Sequence, residues 1–328
     1  MELFDDLDAV ARDAGGALDR EAQPCLFDRL SWYRLLDAHC EGSGRRISVR
    51  AREGERSAWL FLELAGSKAE SWSNYYSLRW QPVGDPSLYK HLLAFVRKQL
   101  ASSLEVAPVQ EAGYLTRACR EAGWLPFLTE ASGNWIADTA GLDFDAYWAR
   151  RPGKLRSTVA RKAKAAKLDI RVLRTFDEAA WADYEAVYRA SWKPEEGSPA
   201  FLRALARQEG SAGTLRLGLA YREGRPVAAQ FWLVENDEAT IHKLAYCEDA
   251  KALSPGSILS MQMFRHVLDQ DRVARIDYGT GDEGYKADWM DARRPLWRVT
   301  AYDPTSLSGL AGAARTAASA LVGRLRSR

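Results

Sequence analysis

The chain has little of what would build a stapled or metal-centred fold. Four cysteines, Cys25, Cys40, Cys119 and Cys247, are spread over 328 residues with no C-x-x-C among them, a spacing that predicts neither a disulfide framework nor a zinc site and suits a reducing cytoplasm. Long hydrophobic runs are missing: none nears the ~20 residues of a membrane span. The opening "MELFDDLDAVARDAGG" is acidic and has no signal-peptide core. A soluble, cytoplasmic protein is expected. There is no G-x-S-x-G elbow for a covalent serine route, no low-complexity tract and no short-period repeat. Charge of one sign is not in large excess, the net charge being +2, so the molecule as a whole is not an electrostatic binder of nucleic acid.

What is present suits globular cores. Apolar residues make up 47% of the chain, and its length accommodates two domains of ordinary size. Residues 27–40, "FDRLSWYRLLDAHC", carry helical spacing, and "RISVRAREGERSAWLFLELAG" alternates as a hairpin about Glu53-Gly54-Glu55. "SNYYSLRWQPVGD" reads as further aromatic strand and "PSLYKHLLAFVRKQLA" as an amphipathic helix. "LTRACREAGW" predicts a short helix stopping at Gly123, and the strand "NWIADTAG" closes this half near residue 141.

Ten Lys or Arg and a single acid, Asp169, then fall between Arg150 and Arg174. Beyond them the order is regular. A strand "LDIRVLR" is followed by helices "FDEAAWADYEAVYRASW" and "SPAFLRALARQEG", then by three antiparallel strands turning at Glu223-Gly224 and Asn236-Asp237. A helix from Ser254-Pro255-Gly256, a strand "ARIDYGT", a short helix in "GDEGYKADWM" and a strand "LWRVTAY" complete it. Residues 307–328 form a small-residue helix with Leu307, Leu310, Ala314, Ala318, Leu321 and Leu325 on one side, expected to pack on its own domain.

The stretch "IHKLAYCEDAKALSPGSILSMQMF" carries the strongest local signal. Ile241 to Tyr246 is strand-like, whereas Ile258, Met261, Phe264, Arg265 and Leu268 recur at spacings of three and four. A helix opening there presents backbone N–H groups without internal partners and the positive end of its dipole, which suits a phosphate. Ser254 or Ser257 is placed to cap it, Pro255 suits its first turn, and Gly256 admits a ligand close to the backbone. The plain alternative is a well-capped helix after a strand.

Together, "RPGKLRSTVARKAK", "YEAVYRASWKP", "GRPVAAQFWLV", "IHKLAYCEDAKALSPGSILS", "IDYGTGDEGYKADWM" and "RRPLWRV" resemble the GNAT acyltransferases over roughly residues 144–302. Within them they look like the CelD/BioF2-type branch related to the FemAB group. The resemblance implies an α/β (α+β) fold of tandem GNAT-like domains, each a mixed, mostly antiparallel sheet flanked by helices. It implies a degenerate domain at 1–141, a catalytic domain at 142–306 and a basic amphipathic helix at 307–328. It further implies acyl-CoA as donor co-substrate, with Leu244, Ala245 and Tyr246 lining the pantetheine and Ser254, Pro255, Gly256, Ser257 and Ile258 cradling the pyrophosphate. The usual GNAT loop is richer in glycine, arginine and glutamine, and only one glycine stands here. That departure leaves open the aminoacyl-tRNA donor of FemAB-like enzymes.

Acyl transfer from a thioester to an amine needs a base, an oxyanion donor and an acid for the departing thiolate, and no metal. Candidates for the base are His242 and Asp277; Tyr285 and Lys286 are candidates for acid or oxyanion donor. Each has a plainer role: His242 as a core histidine, Asp277 as the anchor of a glycine turn, Tyr285 and Lys286 as helix surface. Trp192 and Lys193, with Arg156 and Arg161 of the basic stretch, are candidate acceptor contacts, against a core tryptophan and a solvated helix. The expected acceptor is a small-molecule or lipid amine: an amino sugar or envelope precursor, a peptide amine, or a long-chain sphingoid-type amine. Basic residues near an apolar helix also suit peripheral contact with an anionic membrane. Nucleic acid is disfavoured except for tRNA in the alternative, and a non-catalytic scaffold of envelope biosynthesis is the remaining class.

Overall fold

The computed structural model describes residues 1–326 and side chains as far as Ala320; the side chains of Leu321 and Leu325 and the last two residues of the expected tail lie outside that description. The chain forms two compact units, Met1–Ser132 with Pro295–Arg328, and Gly133–Arg294. The sequence suggested divisions at 141 and 306.

The first unit contains β1 (Glu2–Phe4), α1 (Leu7–Ala14), α2 (Leu30–His39), β2 (Arg45–Glu53), β3 (Arg56–Ala65), β4 (Lys68–Ser71), β5 (Val83–Gly84), α3 (Tyr89–Gln99), β6 (Ser103–Val109) and α4 (Ala112–Glu121). The hairpin of β2 and β3 pairs Glu53 with Arg56 across a turn where Gly54 takes φ +59°, a conformation glycine adopts without a Cβ clash. Leu60, Leu62, Leu92, Val96 and Leu104 meet in its core. The stretch read as aromatic strand yields only the two residues of β5. Tyr76 and Trp80 are nonetheless buried, because core packing rather than strand pairing uses those rings.

The chain enters the second unit within β7 (Leu125–Asp138) and continues through α5 (Phe144–Ala149), α6 (Gly153–Ala166), β8 (Asp169–Leu173), α7 (Glu178–Arg189), α8 (Pro199–Ser211), β9 (Leu215–Arg222), β10 (Arg225–Glu235), β11 (Glu238–Tyr246), α9 (Pro255–Asp269), β12 (Arg275–Thr280) and α10 (Lys286–Trp289). It returns within β13 (Ala292–Tyr302) and ends in α11 (Leu307–Arg326). Asp177 caps α7 by accepting from Ala180 N–H, and Ser198 caps α8 by accepting from Phe201 N–H, with Pro199 in the first turn.

The second unit's strands lie in the order β7-β12-β11-β10-β9-β8. All are antiparallel neighbours except β11 and β12, which run parallel and pair only at Glu238–Arg275, Ala239–Ile276 and Thr240–Asp277. Beyond Thr240 the two strands part. A second irregularity sits beside that point: Phe231 pairs with Lys243 and Trp232 with Ile241, so His242 is an extra residue, a β-bulge. Alternation would put His242 and Lys243 on opposite faces; the bulge lets Ile241, His242 and Lys243 all be buried.

The first unit repeats the parallel pairing, β4 against β6 over Lys68–Glu70 and Ser103–Glu105. There the opening is closed by side chains: Ser71 and Ser73 hydroxyls donate to the Ala107 carbonyl at 3.0 and 2.7 Å, and Ser71 accepts from Ala107 N–H. Asp85 accepts from Ser87 N–H just before α3, setting a carboxylate where a phosphate would need N–H groups. The Leu307 face of α11 does not pack as expected. Leu307 is 88% exposed and Leu310 49%, whereas the buried residues are Gly309 and Ala313. A Cβ on Gly312 would lie 2.4 Å from the Tyr302 ring, so the glycine side seats the helix and turns the leucines outward.

Candidate active site

The helix N-terminus singled out in the sequence is built unlike its neighbours. Pro255 occupies the first turn of α9 as expected, but Ser254 takes a left-handed conformation (φ +56°) and its side chain does not cap the turn. A non-glycine residue held there carries backbone strain. At Gly256 a Cβ would stand 3.0 Å from Cδ1 of Tyr246, so a larger residue must press on that ring. Tyr246, at the end of β11, stacks at a tilt on Trp192, ring centroids 4.3 Å apart. Trp192 is 48% exposed, so it is not a core tryptophan. Leu244 and Ala245 lie on the part of β11 that has left β12, and Ser257 and Ile258 follow in the first turn of α9. Nearby, Lys162 of α6 donates to the carbonyl of Ala252 in the 3₁₀ turn leading to α9. Arg156 and Arg161 are exposed on α6; Arg156 donates to the Arg151 carbonyl at 3.1 Å.

On β12, Asp277 is buried and fully engaged. Its Oδ1 accepts from Asn134 Nδ2 at 2.6 Å and from Gly279 N–H at 2.7 Å, and its Oδ2 from Arg294 Nη2 at 2.9 Å. That is the anchoring geometry: Gly279 (φ +67°) and Gly281 (φ +107°) carry the turn that delivers Tyr285 and Lys286. Lys286 is buried, donates to the carbonyls of Thr280 and Gly281 and pairs with Glu283 at 2.8 Å. Burial raises the Glu283 carboxyl, but Lys286 and Lys193 outweigh it and hold the group below its ordinary range. Tyr285 stands 45% exposed, edge-on to buried Tyr278 at 5.9 Å. Burial, then the nearby Glu283, pushes its phenol up to about 12.

The bulge brings in residues that sequence reasoning missed. Lys243 Nζ pairs with Glu196 Oε1 at 3.2 Å, with side chains 4% and 8% exposed. Burial, against the pull of Glu196, lowers the Lys243 ammonium to about 8. Burial also lowers Lys193, which senses Glu196, Glu283 and Lys286 and so joins this pair to α10. His242 lies against Phe231, ring centroids 5.4 Å apart. Lys193 and Glu196 also wall a cavity of about 570 Å³ between α7 and α8, floored by Trp181, Tyr184, Tyr188 and Leu202. No periodicity marks Glu196 within "KPEEGSP", and a strict alternation of β11 hides Lys243. Among the described residues no group of three or more His, Cys, Asp or Glu is placed to hold a metal ion.

Residues 149–287, all within the second unit, match the family model described as "Acetyltransferase (GNAT) domain". No curated protein matches the chain. Among solved structures, the chain is similar in fold to the C-terminal domain of a putative lysylphosphatidylglycerol synthetase from Agrobacterium fabrum, with TM-score 0.58, 16% identity, and 95% and 97% of the two chains covered. It is similar likewise to FemX, with TM-score 0.59, 11% identity, and 91% and 97% covered. A tandem GNAT protein from the clavulanic acid biosynthesis pathway aligns with TM-score 0.50 at 13% identity, covering 93% and 100%. Residues 149–287 thus carry the GNAT domain of a transferase, within a chain whose fold is similar to that of a tandem GNAT protein.

Proposed function

We propose that the second unit transfers an acyl group from acyl-CoA to the nitrogen of an amine, by direct attack in a ternary complex. The observation that carries this is the parting of β11 from β12 beside the uncapped N-terminus of α9. Backbone N–H and C=O groups of Leu244 to Tyr246, released from β12, suit the amides of a pantetheine arm. N–H groups of Gly256, Ser257 and Ile258 suit a pyrophosphate, with Lys162 adding charge. The corresponding opening of the first unit is bridged by serines, which favours a single donor site.

Asp277 serves as the anchor of the turn rather than as base. The acceptor's proton passes to the Lys243–Glu196 pair, because a lysine poised near 8 exchanges protons near neutral pH. His242, on the same bulge, holds Lys243 inward. Lys286 polarises the developing oxyanion, and Tyr285 protonates the thiolate. The aromatic-floored cavity beside Glu196 suits an amine with an apolar body better than a free amino sugar, with Lys193 in its wall. The exposed Leu307 and Leu310 of α11 suit peripheral membrane contact. Among the described residues no helix is long and apolar enough to cross a membrane.

A second donor, aminoacyl-tRNA, is favoured by the likeness of fold to FemX and by the exposed basic side of α6. Likeness to lysylphosphatidylglycerol synthetase domains makes a lipid amine or hydroxyl acceptor worth including. Thermal shift with CoA, acetyl-CoA and palmitoyl-CoA, the last with a detergent control, separates the donors. A saturable rise that Gly256→Leu abolishes, by driving Tyr246 into the site, is expected. No rise with any thioester refutes the acyl-CoA reading and shifts the assay to aminoacyl-tRNA.

A further inference from the structure

The cavity between α7 and α8 is charged as well as aromatic, and most of its charges are already matched. Glu185 is spent on structure: its Oε1 accepts from Trp181 Nε1 at 2.9 Å and from Arg203 Nε at 3.2 Å, and its Oε2 from Arg203 Nη2 at 2.8 Å. Glu196 faces Lys243. Arg189 and Glu195 also line the cavity, but both are exposed and screened by water and salt. Lys193 stands apart. It is half-buried in the cavity wall, and among the described residues its ammonium makes no hydrogen bond and no ion pair.

Two rings locate that ammonium. Lys193 Nζ lies 6.0 Å from the centroid of Tyr188, in the cavity floor, and 5.9 Å from that of Trp192, whose ring stacks on Tyr246 at the end of β11. At that range, the outer limit for a cation over a ring, the attraction is too weak to stand in for a counter-ion. An anion entering the cavity supplies one. With Glu185 and Glu196 neutralised by Arg203 and Lys243, the lining is left with Arg189, Lys193 and Glu195, one positive charge in excess, which suits a carboxylate better than a doubly charged phosphate. Lys193 and the Lys243–Glu196 pair act on one another, so a group held by Lys193 sits close to a nitrogen that gives its proton to the pair. Closely spaced amine and carboxylate on an apolar body are the marks of an α-amino acid. In its reactive form, with the nitrogen neutral, such a molecule carries one negative charge.

We propose that the acceptor is an α-amino acid with a large apolar side chain, and that Lys193 selects it over the corresponding simple amine by binding its carboxylate. This rests on the reading of the cavity as the acceptor site. Its volume of about 570 Å³ falls within the roughly 300–1,000 Å³ of small-molecule sites. Trp181, Tyr184, Tyr188 and Leu202 offer the apolar side chain its contact surface.

The test is calorimetric titration of the full chain with L-phenylalanine and with phenethylamine, which has the same body without the carboxylate, first alone and then with CoA present. Phenylalanine is expected to bind about tenfold tighter, the factor that a hydrogen bond to a charged group supplies. Lys193→Met, close in shape and free of the buried charge, is expected to bring phenylalanine down to the level of phenethylamine and to leave phenethylamine unchanged. Lys193→Arg, which keeps the charge, is expected to retain the preference. Phenethylamine binding as tightly as phenylalanine to the unaltered protein overturns the proposal, and so does binding of neither, with or without CoA. Equal weakening of both ligands by Lys193→Met overturns the selecting role and leaves Lys193 a structural residue. Phenylalanine binding that depends on Lys193, with no N-acylation from acetyl-CoA or palmitoyl-CoA, counts against the proposed donor and leaves the carboxylate site standing. A thioester-induced thermal shift lost in Gly256→Leu, with no amino-acid binding, does the reverse.

Discussion

Glu196→Gln removes the charge that faces Lys243 while keeping shape and a hydrogen-bonding amide. Were Lys243 to stay charged, an uncompensated buried ammonium would cost about 3–5 kcal/mol. The lysine has an escape: its folded-state value is already about 8, so at pH 7 releasing the proton costs only one further unit, about 1.4 kcal/mol. The loss at pH 7 is therefore capped at about 1.5 kcal/mol. The sign with pH follows. The folded value lies below the 10.5 of an unperturbed lysine, so the burden of the buried charge is fully present below about 8, and stability rises as pH goes from about 8 to 10.5. At pH 9 Lys243 is largely neutral even beside Glu196, and the substitution is expected to cost under about 0.5 kcal/mol there. Urea denaturation of both proteins at pH 7 and pH 9 reads the difference directly. A loss of 3 kcal/mol or more that is the same at both pH values would refute the reasoning, because it would mean Lys243 stays charged.

Three further outcomes are expected. Tyr285→Phe should leave stability within about 0.5 kcal/mol, as suits a half-exposed ring, and lower turnover by about a hundredfold or more; unchanged turnover on a thioester would remove it as the acid. Asp277→Ala leaves the Gly279 N–H without its acceptor and takes one bond each from Asn134 and the buried-pair partner Arg294, and should cost about 2–4 kcal/mol by urea melt. A loss under about 0.5 kcal/mol would contradict its role as anchor. Deleting residues 307–328 removes the outward leucines and should weaken flotation with anionic vesicles; equal flotation would count against membrane contact through α11.

The element order of the second unit was legible because its helices and strands keep strong periodicity and its turns carry glycine, asparagine and proline. Pro255 fell in the first turn of its helix for that reason. Ser254 did not cap with its side chain; its backbone is left-handed, whereas a capping residue is normally extended. Lys243 and Glu196 were hidden for a different reason: a one-residue bulge has no mark in a strand sequence, and a long-range ion pair has no spacing. Asp277 was visible as a candidate, but only Asn134 and Arg294, 143 and 17 residues away, reveal how its oxygens are spent. On α11 the pattern favoured leucines as the packing face. Tyr302 selects the glycine side instead, because close approach rather than hydrophobicity decides which face can fit.

The route of the chain bears on its synthesis. The second unit is an insertion: residues 133–294 leave the ribosome as one uninterrupted stretch, while the first unit lacks its last strand until Trp297 to Tyr302 arrive to pair with β6. Until then β6 has an unpaired edge, the kind that recruits other strands. A nascent chain thus finishes the unit that contains the matched domain before the unit that precedes it in sequence, and a product truncated near residue 294 keeps the second unit whole while the first lacks its last strand. Fragments of this protein should accordingly be cut at 133 and 294 rather than trimmed from one end.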